Sequence, residues 1–253
     1  MTSMLDKLYK PDQKRLNVLI TGRPGSGKSY FIKHTLKAFL KQWKDPAGRV
    51  IYVDPKQEVD MGENTMTTVQ GLEKHLRKNR LAVIYPDTMY VEADTDEVID
   101  TVFAIQEANP DFKAVVLVDD AQTFLKPTHG GASYQFKRMA LTGRSKNIRF
   151  IGVAHQMVFS KALEGSISYL VNFSMPVKLY HKDAITRYGF DAALYAEDLN
   201  SNPYSFVWFD VTKGEGTLMA PIDVKGESVR ERKRQTEPAD TPSKRIQKRD
   251  KDA

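Results

Sequence analysis

Between residues 16 and 224, short runs rich in Val, Ile, Leu and Tyr alternate with longer stretches whose apolar side chains recur every three or four positions. The runs fit strands, the recurring spacing fits helices that bury one stripe, and their alternation predicts an α/β domain with a mostly parallel central sheet flanked by helices. Strands are expected at 16–21, 49–53, 81–85, 114–119, 148–154, 169–173, 205–211 and 217–220. Helical spacing is clearest at 29–43, through Tyr30, Phe31, Leu36, Phe39 and Leu40, and at 96–108, through Val98, Ile99, Val102, Phe103 and Ile105. No internal repeat is evident. The chain therefore divides into an N-terminal arm (1–15), one domain (16–224) and a tail (225–253).

The tail holds ten Lys or Arg residues against six acids, and so supplies four of the six net positive charges of the 253-residue chain. Val229 and Ile246 are its only larger apolar residues, too little to offset the entropy of ordering it. It reads as a disordered basic tail, either a phosphate-binding arm or a solubilising and partner-docking segment. With 41% hydrophobic residues, the rest can bury a sizeable core. The absence of cysteine excludes disulfides, thiolate nucleophiles and Cys-ligated metal. No apolar run approaches the ~18 residues of a membrane span. The N-terminus, broken by Asp6, Lys7 and Lys10, lacks the apolar core of a secretory signal, so the protein is expected to stay where it is made.

One segment carries most of the chemistry. Gly22-Arg23-Pro24-Gly25-Ser26-Gly27-Lys28-Ser29, followed by Tyr30, fits G-x-x-x-x-G-K-[ST] and lies directly between an expected strand and an expected helix. Glycines there let backbone N–H groups turn inward around phosphate oxygens, and the helix N-terminus adds its positive end. Lys28 is expected to bridge the β- and γ-phosphates of a nucleoside triphosphate such as ATP, and Ser29 to hold Mg²⁺. A second run, Ala114 to Val118, ends in Asp119 and Asp120. Asp119 is expected to bind the same Mg²⁺, and Asp120 stands where a general base or water-orienting carboxylate acts.

In a third segment, a basic turn with Arg144 leads into an apolar strand ending in His155-Gln156. Gln156 can sense the γ-phosphate or orient water, because ligands gather at the C-terminal edge of a parallel sheet. Arg144 or Arg149 can be presented to a neighbouring subunit's nucleotide as an arginine finger. Taken alone, each of these is better explained as a surface arginine or a strand-end glutamine capping a loop.

These pieces, with Ile51-Tyr52-Val53-Asp54-Pro55-Lys56-Gln57-Glu58 ending the second strand, resemble the FtsK/HerA superfamily of DNA-translocating ATPases, and among them the viral genome-packaging ATPases. The resemblance covers roughly residues 16–156. It implies a P-loop NTPase of RecA-like (ASCE) type. It further implies a homo-oligomeric ring, commonly a hexamer, that threads double-stranded DNA without reading its sequence, meets capsid vertex or portal proteins, and works in the virion or host cytoplasm. It assigns Arg144 to catalysis in trans and Gln156 to the strand-end sensor. The superfamily usually has Glu after the metal-binding Asp, where this chain has the shorter Asp120. That departure keeps open an alternative, a nucleotide-switched assembly or secretion module with little DNA-coupled turnover.

Weaker signals add little. The five histidines show no paired metal-ligand spacing, and His155 is read as a hydrogen-bonded strand-end residue. The segment 126–131 can be a mobile channel loop or a surface turn. Tyr204, Phe206, Trp208 and Phe209 can stack on bases, but alternation along a strand favours core packing.

Overall fold

Every residue of strand β1 (Asn17–Thr21) is buried, the mark of a central strand covered on both faces. The structure, a computed structural model, describes residues 4–9, 17–42, 45–123, 133–155, 164–175, 178–222 and 231–235. In it β1 lies between β6 (Ile148–Ala154) and β7 (Ile167–Asn172), parallel to both. Beyond β6 follow β5 (Lys113–Val118), β2 (Gly48–Val53), β4 (Leu81–Ile84) and the two-residue β3 (Thr65–Met66), all parallel. On the other side β8 (Phe206–Asp210), β9 (Glu215–Met219) and β10 (Glu231–Gln235) continue from β7 as antiparallel strands, completing a ten-stranded sheet.

Alternate side chains of each strand enter different halves of the core. Val18 and Ile20 join a cluster with α1 (Met4–Tyr9) and α2 (Lys28–Gln42). Leu19 joins the opposite cluster, shared with α3 (Leu72–Lys78), α4 (Val91–Ala108), α5 (Tyr134–Thr142), α6 (Lys178–Tyr188) and α7 (Ala196–Ser201). The expected architecture, an α/β domain with a mostly parallel, helix-flanked sheet, is therefore what the chain adopts.

Parallel pairing aligns the strand ends. Thr21 pairs with Ala154 and Val53 with Val118, so Gly22, His155, Asp54 and Asp119 all emerge at one edge of the sheet. Loops from four strands converge there, as crevices outside the carboxyl ends of parallel strands do.

Three expectations change. Within the stretch read as a disordered tail, Glu231–Gln235 pairs antiparallel with β9; this strand needs no apolar side chains because main-chain hydrogen bonds to an open sheet edge hold it. Within the N-terminal arm, α1 buries Leu8 and Tyr9, and the Tyr9 hydroxyl lies 2.7 Å from Thr35 Oγ1. Arg149 cannot serve as a finger: it is fully buried in β6 and donates to the Leu8 carbonyl at 2.8 Å. Among the described residues, no helix is long and apolar enough to cross a membrane.

Candidate functional site

The segment after β1 turns tightly because its glycines can. Gly27 has φ +106°, and a Cβ there would stand 2.5 Å from Cδ1 of Tyr204; Gly22 has φ +155°, and its Cβ would meet that of Phe173 at 2.6 Å. No other residue fits either position without displacing a neighbour. Ser26 is buried, and its Oγ has no hydrogen-bond partner, so the loop holds a polar atom ready for a ligand. Helix α2 begins at Lys28, which puts its free N–H groups at the mouth of the loop.

Lys28 is only 7% exposed. Its Nζ folds back to donate to the carbonyls of Gly22 (2.7 Å) and Arg23 (3.0 Å), and lies 3.1 Å from Nδ1 of His155. Burial brings its pKa down to about 8. The same Nδ1 lies 3.2 Å from the Gly22 carbonyl oxygen, and Nε2 faces Asp120 Oδ1 at 3.5 Å. Gln122 completes the frame: its Oε1 accepts from the His155 backbone N–H at 2.5 Å, and its Nε2 donates to Asp120 at 3.2 Å.

Asp119 is 2% exposed, accepts the Asp120 N–H at 2.7 Å, and has its pKa raised by burial. Asp120 takes a left-handed backbone (φ 49°) that swings its carboxylate to Lys56, 3.1 Å away. Lys56 is held in turn by buried Asp54, which accepts the N–H groups of Lys56 (3.2 Å) and Val59 (2.8 Å) and so shapes the loop after β2. Burial disfavours the Lys56 charge, but Asp119 and Asp120 outweigh it and raise its pKa. Of the non-glycine residues with positive φ, three (Gln57, Asp120 and Tyr204) sit in these loops, where backbone strain tends to collect.

The loops enclose a cavity of about 540 Å³. It is lined by residues of the segment from Pro24 to Tyr30, by Lys56, Glu58, Asp119 and His155, and by Tyr204, whose ring packs against Gly27 and Tyr30. That volume is of the size that takes a nucleotide. The donor set fits MgATP: an orphaned serine hydroxyl, helix N–H groups and two ammoniums for phosphate oxygens, and the Ser29 hydroxyl and Asp119 carboxylate, both in the lining, for Mg²⁺.

Of the residues singled out from sequence, Gly22 to Tyr30, Asp119 and Asp120 come together here. Arg144 does not. It is exposed in the 3₁₀ turn Gly143–Lys146 ahead of β6, whereas His155 follows the other end, and the seven residues of that strand span about 20 Å. Gln156 and the segment 126–131 lie outside the described residues. Sequence reasoning did not commit three residues of this cavity, Lys56, His155 and Tyr204, to the site. Lys56 was signalled only as part of Asp54-Pro55-Lys56, and Tyr204 was grouped with the aromatics of the next strand. Phe206, Trp208 and Phe209 are indeed buried, but Tyr204 is 51% exposed and belongs to the turn before β8; the signal was Pro203, which breaks the strand pattern.

No protein-family model and no curated protein matches the chain. Solved structures do. The DNA-packaging ATPase B204 of Sulfolobus turreted icosahedral virus aligns over 83% of this chain and 100% of its own, at 19% identity and TM-score 0.65. The genome-packaging NTPase B204 of Sulfolobus turreted icosahedral virus 2, in complex with ATP-gammaS, covers the same shares at 17% identity and TM-score 0.64. VirB4 of Thermoanaerobacter pseudethanolicus aligns over 88% of this chain and 90% of its own, at 12% identity and TM-score 0.56. In fold, then, the chain is like these packaging and VirB4 proteins, and the resemblance read from its sequence holds at that level.

Proposed function

We propose that this protein hydrolyses ATP and couples that reaction to the translocation of double-stranded DNA, as the packaging motor of a viral capsid. The observation that carries the reading is the convergence of Lys28, Lys56, Asp119, Asp120 and His155 on one cavity at the strand ends beside a glycine-rich helix start. The structural likeness to B204, a packaging ATPase, supports the choice of DNA as the partner.

The residues divide the work. Backbone N–H groups of residues 25–30 and the Lys28 ammonium, released from the Gly22 and Arg23 carbonyls, bind and orient the β- and γ-phosphates. Ser29 and Asp119 would hold Mg²⁺, which when bound neutralises charge on those phosphates. Asp120, oriented by Gln122 and His155, takes the proton of the attacking water, and Lys56 steadies that carboxylate and offers positive charge beside the γ-phosphate. Gln156, next to His155 in the chain, senses the γ-phosphate. Arg144 faces away from its own nucleotide and so acts on a neighbour's, in a ring that we take to be a hexamer around DNA. Capsid vertex or portal proteins are the further partners, in the virion or host cytoplasm.

One observation favours a second reading. Asp120 is one methylene shorter than Glu and is tied to Lys56 at 3.1 Å, which suits slow turnover and a nucleotide-switched assembly role. Phosphate release by the wild type, Lys28→Ala and Asp120→Asn separates the two. A motor loses turnover in both variants while Asp120→Asn still binds ATP; equal phosphate release by all three proteins would remove the site from catalysis altogether.

A further inference from the structure

Tyr204 is unusual three times over. It holds a left-handed backbone (φ 66°) that bulky side chains rarely adopt, it is 51% exposed, and Gly27 lacks the Cβ that would strike its ring. The neighbouring Phe206, Trp208 and Phe209 go into the core, so apolar burial does not account for where Tyr204 points. Its ring stacks on Tyr30 with centroids 5.7 Å apart and planes 23° apart, and Tyr30 is backed by His34 at 4.1 Å. The result is a tier of rings, partly open to solvent, in the lining of the cavity that also holds Lys28 and Ser29.

Resting on the nucleotide-binding reading above, we propose that Tyr204, braced by Tyr30, is the seat of the nucleobase. A triphosphate anchored at Lys28 runs along the first turn of α2, past Ser29 to Tyr30, which brings the nucleoside to the two tyrosines. The rings already touch, so the base lies against the pair rather than between them. The charged groups of the cavity gather around Lys28 rather than around the tyrosines: Asp119, Lys56 and Glu58 act on it electrostatically, and His155 touches it. Binding by ring faces reads area rather than a donor and acceptor pattern, because every base offers a π-face. The site therefore accepts adenine and guanine nucleotides with similar affinity and holds the smaller pyrimidine nucleotides less tightly.

The test is calorimetric titration of the full chain, in Mg²⁺, with ATP, GTP, CTP and inorganic tripolyphosphate. The wild type is expected to bind ATP and GTP within about fivefold of each other and tighter than tripolyphosphate, since stacking on one aromatic is worth roughly 5- to 150-fold in affinity. Tyr204→Ala should lose that advantage for both purine nucleotides and leave tripolyphosphate binding unchanged; Tyr204→Phe, which keeps the ring, should behave as the wild type. The inference is overturned if Tyr204→Ala binds ATP as well as the wild type does. It is equally overturned if the variant loses ATP and tripolyphosphate in parallel, which would make Tyr204 a prop for Gly27, or if one purine is preferred more than thirtyfold. A wild type that binds tripolyphosphate as tightly as ATP defeats the base seat alone, whereas one that binds neither defeats the nucleotide site as well.

Discussion

Lys28 makes the site and, by the same geometry, weakens the empty fold. It is 7% exposed, and burial takes its pKa from the ordinary 10.5 to about 8. A lysine whose pKa falls on folding opposes folding: the penalty is full below pH 8 and fades as pH rises toward 10.5, because over that interval the unfolded chain binds more protons than the folded one. A fall of that size is worth ~3 kcal/mol at ~1.4 kcal/mol per pH unit. Solvent at the cavity mouth, together with the bonds from Nζ to the Gly22 and Arg23 carbonyls, reduces the net penalty to an expected ~1–2 kcal/mol. Lys28→Met keeps most of the aliphatic stem and removes the charge. Without nucleotide it should melt about 2–8 °C higher than the wild type at pH 7.5, with the gap closing at pH 10. Saturating MgATP should reverse the order: at a hundredfold excess over Kd it adds ~2.7 kcal/mol to the wild type and nothing to the variant. Thermal unfolding followed by circular dichroism reads both effects. A variant that melts below the wild type without nucleotide would refute the reasoning, since the Nζ bonds would then outweigh the desolvation of the charge.

Two further outcomes follow from the site. Lys56→Ala breaks a half-exposed ion pair worth at most ~1 kcal/mol, so it should change the melting temperature little, yet lower turnover at least tenfold by freeing Asp120 and removing charge beside the γ-phosphate; unchanged turnover would deny Lys56 its role. Arg144→Ala should bind ATP normally and hydrolyse it at least a hundredfold more slowly, and mixing it with Lys28→Ala should restore part of the rate, because mixed rings join an intact nucleotide site to an intact finger. If equimolar mixtures show no recovery, the finger does not act in trans.

Much of the fold was legible because its signals are local. Strands covered on both faces, such as Lys113–Val118, read as unbroken apolar runs, and the glycine-rich loop carries its meaning in consecutive residues. Helix α4 begins at Val91, five residues ahead of its expected start, since its first turn presents Glu92 and Asp94, which suit the helix N-terminus but add nothing to the apolar stripe. Strands β3 and β10 arise from main-chain pairing at the sheet edges and leave no apolar pattern to read. The missed site residues share another cause. His155, Lys56 and Tyr204 gain their places only when strands distant in sequence align, through the pairing of Thr21 with Ala154 and the approach of the turn before β8 to Gly27. In one dimension they were a strand-end histidine, a turn lysine and one aromatic among several.

The claim that the site drives a DNA motor is tested most directly by steady-state ATP hydrolysis with and without long double-stranded DNA, at low and at moderate salt, with Lys28→Ala as the control. The account predicts a rate that DNA stimulates severalfold, that loses this stimulation as salt weakens phosphate contacts, and that vanishes in the Lys28 variant. ATP hydrolysis by the wild type that DNA leaves unchanged at either salt would contradict the coupling and leave the chain a nucleotide-driven protein of another kind.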